Sequence, residues 1–336
     1  MRPQGGRLRG ARCMTANNLA TLSGYVSALP TPFDMDSIDA EAFESICDWQ
    51  IEQGISAIVV SGTTGEASTL TMGEQEFLIK VALDVSRCRV PVIAGSGSNS
   101  TAHAIEIAQM AQRAGANGLL AVTPYYNKPS QEGLFQHFSA VHAATHVPIL
   151  LYDVPARTGC ELTIDTICRL AELPRIAGLK DATAETVRPH ILRQKLGDQF
   201  RLLSGDDKTA ITFLKHGGNG CISVLSNVVP KMCQSLFLAC SENRMAEATL
   251  IEKKLKPLST ALFAEANPVP LKWAMALMGR MSPRLRLPLC LPADSTRKAI
   301  QSALMPLGRD ELQILVRSAQ KWRSSPDEVR PSNTAR

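Results

Sequence analysis

Four short stretches of this chain carry polar side chains in combinations that an idle loop does not need. They are S-G-T-T-G-E at 61–66, T-P-Y-Y-N-K-P at 123–129, Y-D-V-P-A-R-T-G at 152–159 and G-L-K-D-A-T at 178–183. Lys180 is the sharpest, because it follows the apolar run 176–179. Withdrawal from water disfavours the ammonium form of a lysine, and the neutral amine can condense with a carbonyl compound to give a Schiff base. Pairing with Asp181, or a reach into solvent, would account for the same residue. Imine chemistry moves protons, and Tyr152 and Tyr126 could carry them. The chain has 4 Tyr, and Tyr125, Tyr126 and Tyr152 all fall in these stretches; Tyr125 could equally pack a loop or an interface.

Two further groups suit carboxylates. Thr63 and Thr64, flanked by Gly62 and Gly65, offer hydroxyls and backbone N–H groups to a small anion. Arg157 presents a planar fork that can hold a carboxylate through two hydrogen bonds, or that could serve a surface salt bridge. Other constellations are poorer. His142 and His146 share a helical i, i+4 spacing but have no third metal ligand in view, and two surface histidines explain them as well. Gly95 and Gly97 begin a G-x-G that lacks its third glycine, and no G-x-x-x-x-G-K-[ST] occurs. No metal and no organic cofactor is expected.

The elements that must position these groups are legible from periodicity. Short apolar, β-branched runs at 25–29, 57–60, 90–94, 118–122, 149–152, 176–179, 201–203 and 220–224 read as eight strands. Amphipathic stretches at 40–53, 74–86, 101–114, 132–144, 164–171 and 208–216 alternate with them, several opening on a capping Ser, Thr or Asp. Repeated βα units imply a parallel sheet, and eight strands can close on themselves and abolish their edges. The fold expected is α/β, a (β/α)8 TIM barrel, with a doubly wound open sheet as the alternative. In a barrel, catalytic groups gather at the carboxyl ends of the strands, so all four stretches would face one mouth. Beyond the eighth strand the alternation stops, and 230–240, 245–262 and 268–278 read as helices. The expected division is an N-terminal extension over 1–22, a catalytic barrel over 23–228, a C-terminal helical domain over 229–308 and a polar tail over 309–336.

Composition narrows the classes. With 45% hydrophobic and 20% charged residues the chain suits a soluble globular enzyme rather than disorder or a coiled coil. Of the net charge of +5, Arg2, Arg7, Arg9 and Arg12 stand in an acid-free start and a further excess of base lies beyond 308. The basic balance therefore belongs to the ends, which argues against nucleic acid as a partner of the body. The start could be a transit peptide, but Met14 offers an internal start and the segment lacks a secretory core, so it reads as an overextended or frayed end. The 9 Cys are scattered without a C-x-x-C and read as reduced, mostly buried thiols of a cytoplasmic protein. No run approaches the ~20 apolar residues of a membrane span.

Taken together, G-T-T-G-E, V-T-P-Y-Y-N-K-P-S-Q-E-G-L, Y-D-V-P-A-R-T-G, G-L-K-D-A-T, L-L-S-G-D-D and N-P-V-P-L-K-W resemble the dihydrodipicolinate synthase (4-hydroxy-tetrahydrodipicolinate synthase) family from about Ser23 to Gly308. The resemblance implies a lyase of the pyruvate-dependent class I aldolase type, a homotetramer built as a dimer of tight dimers. It would condense pyruvate with L-aspartate 4-semialdehyde in the diaminopimelate route to lysine. Lys180 would form the Schiff base, and Tyr152, Thr64 and Tyr126 would form a proton relay, Tyr126 reaching across from the neighbouring subunit. Thr63 and Thr64 would hold pyruvate's carboxylate, Arg157 that of the semialdehyde, and the Ile222 carbonyl would lie near the lysine. A sister lyase acting on a 2-keto sugar acid, of the N-acetylneuraminate lyase kind, is the rival enzyme; a non-catalytic keto-acid sensor is the rival from another class.

The resemblance also has a departure. Lysine-inhibited relatives bind the effector at the tight-dimer interface through a Ser, two His and a Glu, whose places here fall to Ala67, Met72, Gln75 and His103; only Ser68, Asn99 and Tyr125 remain compatible. Loss of the carboxylate removes a partner for the ammonium of lysine, so weak or absent feedback inhibition is expected.

Overall fold

A computed structural model describes residues 18–308. The tail expected from 309 and residues 1–17 of the expected extension lie outside the described residues. Residues 18–22 of that extension pack against the body instead. Asn18–Thr21 forms a 3-10 turn, and Leu19 and Leu22 are buried at the floor of the barrel, where a side chain at Gly118 would strike Leu19.

Eight parallel strands close into a barrel: β1 (Gly24–Ala28), β2 (Ala57–Val60), β3 (Val92–Gly95), β4 (Gly118–Val122), β5 (Ile149–Asp153), β6 (Ile176–Asp181), β7 (Arg201–Ser204) and β8 (Gly220–Ser223). Each pairs with its sequence neighbours, and β8 returns to β1 through Gly24 opposite Gly220. Closure leaves no sheet edge and removes the open-sheet alternative.

Helices clothe the barrel: α1 (Ala40–Glu52), α2 (Met72–Ser86), α3 (Thr101–Ala114), α4 (Gln131–Ala143), α5 (Ile164–Ala171), α6 (Arg188–Leu196), α7 (Ala210–Lys215) and α8 (Pro230–Ser241). Their starts are chemically specified. Asp39, Thr71, Ser100, Ser130 and Thr163 each accept a backbone N–H of the first turn, and Glu74 returns the bond at Thr71 to complete a capping box. α8 packs on β1, its Gln234 bonding to Tyr25, Gly54 and Ser56. Then follow α9 (Met245–Leu262), α10 (Val269–Leu277) and α11 (Asp294–Leu304).

The apolar residues divide between two compartments. Val26, Ala57, Val59, Ile93, Leu120, Leu150, Leu203 and Ile222 fill the barrel, while the alternate residues of the strands pack against the helices. Three features escaped the sequence pattern: α6, whose stretch has no clean apolar face, α11, which lies beyond the last helix expected, and a small hairpin pairing Phe33–Asp34 with Ser37–Ile38. α4 stops at Ala143, so His146 lies beyond the helix and not in its body. Cys47, Cys160, Cys168, Cys221, Cys233, Cys240 and Cys290 are free thiols, three of them buried. Cys88 is disulfide-bonded, which corrects the expectation of reduced thiols at that position. Among the described residues no helix is long and apolar enough to cross a membrane.

Candidate active site

The site is set by a one-residue irregularity. Ile149 stands opposite Ile176, but Leu150 stands opposite Gly178, so Ala177 is an extra residue in β6. Because side chains alternate, a shift of one residue exchanges the faces of a strand. Beyond the bulge Tyr152 pairs with Lys180 and Asp153 with Asp181. Tyr152 joins the barrel-interior cluster, and the Lys180 nitrogen lies 4.1 Å from the centroid of its ring. Both residues are 7% exposed. Lys180 is not paired with Asp181, whose carboxylate accepts from the Thr183 hydroxyl (2.7 Å) and backbone N–H (2.9 Å); among the described residues no carboxylate pairs with the amine. Both alternatives weighed for this lysine, an ion pair with its neighbour or a reach into solvent, are thereby set aside.

Space for the lysine stem comes from Gly205, immediately after β7. A Cβ there would lie 3.1 Å from Lys180 Cε and 2.8 Å from Ala182 Cβ. Close approach of another kind shapes the loop after β2, where Ser61 and Glu66 adopt left-handed backbone angles at φ 53° and 55°. A Cβ on Gly95 would sit 2.0 Å from the Ser61 carbonyl oxygen, so only glycine lets β3 pass beneath this loop. Thr31 clips the same loop by donating to the Gly65 carbonyl at 2.7 Å. The result buries Thr64 and leaves Thr63 partly open.

Arg157 projects from a short helical turn, Pro155–Thr158, after β5; it is exposed and its Nη2 donates to the Asn267 carbonyl at 3.1 Å. Asn267 comes from the connection between α9 and α10, and its Nδ2 donates to Thr64 Oγ1 at 2.9 Å. Thr63, Tyr152, Arg157, Asn267 and Tyr125 all line one cavity of about 650 Å³. Tyr126 does not join them within one chain. Its side chain is 88% exposed on a left-handed residue (φ 76°) whose N–H donates to the Thr158 carbonyl. Ile222 is buried on β8, whose end is held by Asp207: its carboxylate accepts from Ser223 Oγ (2.5 Å) and from the N–H groups of Val224 and Leu225. Burial pushes the Asp207 carboxyl up.

A charged layer lies behind the Tyr152–Lys180 pair. Asp153 and Asp181, one residue further along, turn away from the barrel interior toward Arg188 of α6, at 2.8 Å and 3.5 Å. Arg188, itself buried, also donates to the Leu162 carbonyl. Burial raises the Asp153 carboxyl to about 6 against the pull of the guanidinium. On the other side of the mouth, Lys272 of α10 makes a fully buried ion pair with Glu66 at 2.6 Å, and burial lowers its amine to about 8.

The expected effector residues cluster in the same cavity. Ala67, Ser68, Met72, Gln75, His103 and Tyr125 line it; Asn99 lies alongside, its carbonyl taken by Asn127 at 2.8 Å. The Gln75 amide is engaged with the Ala67 and Leu70 carbonyls, and His103 with Glu106 at 3.0 Å. The histidine pair weighed earlier, His142 and His146, does not line this cavity. Arg175 donates to the His142 carbonyl at 2.8 Å and approaches its ring, and among the described residues no group of three His, Cys, Asp or Glu could hold a metal ion.

Residues 21–306 match the dihydrodipicolinate synthetase family. The chain belongs to this family. Among relatives, the 4-hydroxy-tetrahydrodipicolinate synthase of Methylobacterium radiotolerans is 47% identical over 295 residues, which is 88% of this chain and 99% of that protein. That of Bradyrhizobium diazoefficiens is 46% identical over 85% of this chain and 96% of its own. Among solved structures, the chloride-inhibited dihydrodipicolinate synthase of Acinetobacter baumannii in complex with pyruvate superposes with a TM-score of 0.83 at 41% identity, covering 88% of this chain and 100% of that one.

Within this member of the dihydrodipicolinate synthetase family, three residues near the site were not reached from sequence. Gly205 and Asn267 stand in motifs that carry the resemblance, L-L-S-G-D-D and N-P-V-P-L-K-W, yet nothing in their types announces a tie to Lys180 or Thr64. Arg188 sits in the unperiodic stretch of α6. A buried arginine beside two aspartates shows itself only when the strands are in register.

Proposed function

We propose that the chain is a 4-hydroxy-tetrahydrodipicolinate synthase, a lyase of the class I aldolase type that joins pyruvate to L-aspartate 4-semialdehyde through Lys180. The observation that carries this reading is the buried, carboxylate-free amine of Lys180 set 4.1 Å from the ring of Tyr152, which lines the cavity. The amine attacks C2 of pyruvate, and the carbonyl oxygen departs as water with protons passed by Tyr152. The iminium draws off the electrons of a methyl C–H bond, whose proton passes to Tyr152, and the resulting enamine is the carbon nucleophile. It forms a C–C bond with the aldehyde carbon, whose oxygen takes up a proton. The amino group of the semialdehyde then attacks C2, closes the ring and displaces Lys180 as the free amine. The iminium is the electron sink throughout, and the chain's own residues suffice for these steps.

Thr63 and Thr64 receive the pyruvate carboxylate, with the Ile222 carbonyl beside the lysine. Arg157, exposed at the mouth, receives the carboxylate of the semialdehyde. The relay runs from Tyr152 through Thr64 to Tyr126 of a neighbouring subunit in a homotetramer. Support for that last step is the 88% exposure of Tyr126 on a single chain, an apolar ring that a partner would cover. The side of the same cavity lined by Ala67, Ser68, Met72, Gln75, His103 and Tyr125, with Asn99 alongside, is a degenerate lysine-effector site in which His103 stands in place of a carboxylate.

Borohydride reduction in the presence of pyruvate, followed by peptide mass analysis, tests the reading. The expected adduct is on Lys180 alone. A label on another residue overturns the assignment, and turnover of a sialic acid without turnover of the semialdehyde would replace the substrate.

A further inference from the structure

We infer that Asn267 is a positioning residue that fixes the direction in which Thr64 passes its proton. The inference rests on the proposed role of Thr64 in the relay. A hydroxyl has one proton to give and two lone pairs to offer. The Asn267 amide nitrogen occupies one of those lone pairs at 2.9 Å, so the hydrogen of Thr64 is turned away from Asn267 and remains free to be donated along the relay. Both residues are buried, at 8% and 3% exposure, so water does not compete for that lone pair.

Among the described residues the side chain of Asn267 has no other partner. Its Oδ1 is buried without a hydrogen bond, and its nitrogen bonds only Thr64 among the described residues. An asparagine kept for the architecture would satisfy both ends of its amide, since an unpaired buried acceptor is costly. The backbone of the same residue has a separate task, its carbonyl accepting from Arg157 Nη2 at 3.1 Å. One residue from outside the barrel thus touches the proposed relay through its side chain and the proposed semialdehyde anchor through its main chain. Side-chain substitutions should separate the two.

Two variants of the full-length enzyme test this, Asn267→Ala and the near-isosteric Asn267→Asp. A protonated aspartate donates to Thr64 as the amide does, whereas an ionised one can only accept and would draw the threonine proton out of the relay. For N267D we expect kcat near that of the wild type in acid and a fall of at least about tenfold as pH rises through the new carboxyl's titration. N267A should lose about 100-fold in kcat at every pH, the order expected when a reacting group is misdirected. KM for the semialdehyde should change little in both, and borohydride should still trap pyruvate on Lys180. A kcat for N267A within about twofold of the wild type overturns the inference, as does an N267D defect that is the same at all pH values. If N267A alone misfolds, the pH profile of N267D decides. Failure of the wild type to trap pyruvate would strike the parent reading, whereas normal trapping with unaltered kcat in N267A removes this inference alone.

Discussion

Lys180 faces Tyr152, and not Asp153, because β6 carries one residue more than β5 between Ile176 and Gly178. Regular pairing from Ile149 onward would place Lys180 opposite Asp153 and turn the amine toward the helices. The bulge therefore decides which of two neighbouring residues meets the phenol ring, and it leaves the two aspartates to share Arg188 on the other face.

That pairing makes Tyr152→Phe the informative substitution. The ring that packs against the amine is kept and only the hydroxyl is removed, so the fold and the burial of Lys180 should persist. If Tyr152 passes protons, kcat should fall by about 10²- to 10⁴-fold, and borohydride trapping of pyruvate should be slowed rather than abolished. Steady-state kinetics beside a timed trapping assay would show it. Wild-type kcat in the phenylalanine variant would remove Tyr152 from the chemistry.

Much of this was legible in the sequence, for identifiable reasons. The eight strands are buried on both faces and so read as short apolar runs, and β2 and β4 fall on their expected bounds of 57–60 and 118–122. Helices α3 and α9 match to the residue because strong periodicity, and in α3 a capping serine, define them. Lys180 drew notice as a lysine at the end of such a run. The bulge, by contrast, has no sequence mark, since Ala177 fits a strand interior as well as an irregularity. Arg188 and Asn267 were hidden for a different reason. Each acts across a long chain separation, 35 residues from Asp153 and 203 from Thr64, and such contacts follow only once the strands are in register and the helices packed on them.

Gly205 gives a prediction about room rather than reactivity. Its absent side chain is what accommodates Lys180 Cε and Ala182 Cβ. Gly205→Ala should cost about 1–3 kcal/mol of stability by overpacking and should also push the lysine stem off its register. Adding Ala182→Gly relieves the 2.8 Å contact but not the 3.1 Å contact with the lysine. The double variant should thus regain denaturation midpoint while trapping of pyruvate stays slow. Recovery of both together would show that Lys180 is not confined by this glycine.

The same cavity, on the side of Gln75 and His103, predicts the response to L-lysine. An amino acid with two ammonium groups needs carboxylates or free acceptors around it, and burying an unpaired charge is costly. Here Gln75 donates through its Nε2 to the Ala67 and Leu70 carbonyls and offers only a neutral amide oxygen, His103 faces Glu106, and Met72 contributes only apolar surface. Initial rates measured across a lysine titration should be unchanged through the micromolar range. Half-inhibition within that range would mean that the cavity finds another acceptor.

The last prediction concerns acid stability and the joint between the barrel and its C-terminal segment. Glu74 caps α2 and also receives both arms of Arg286, at 2.5 Å and 3.0 Å. The hydrogen bonds from Arg286, helped by those from Thr71, hold its carboxyl down at about 2. A carboxyl with a depressed folded-state pKa binds fewer protons in the native than in the unfolded chain, where it titrates near ~4.3. Its stabilisation is therefore full at neutral pH and is lost as pH falls through the window from about 4.3 toward about 2. Glu74→Gln should unfold at lower urea concentration than the wild type at pH 7, and the two midpoints should converge in acid. Curves that stay parallel down to the lower end of that window would show that the Arg286 pairing adds nothing net to the fold, as happens for many ion pairs open to water.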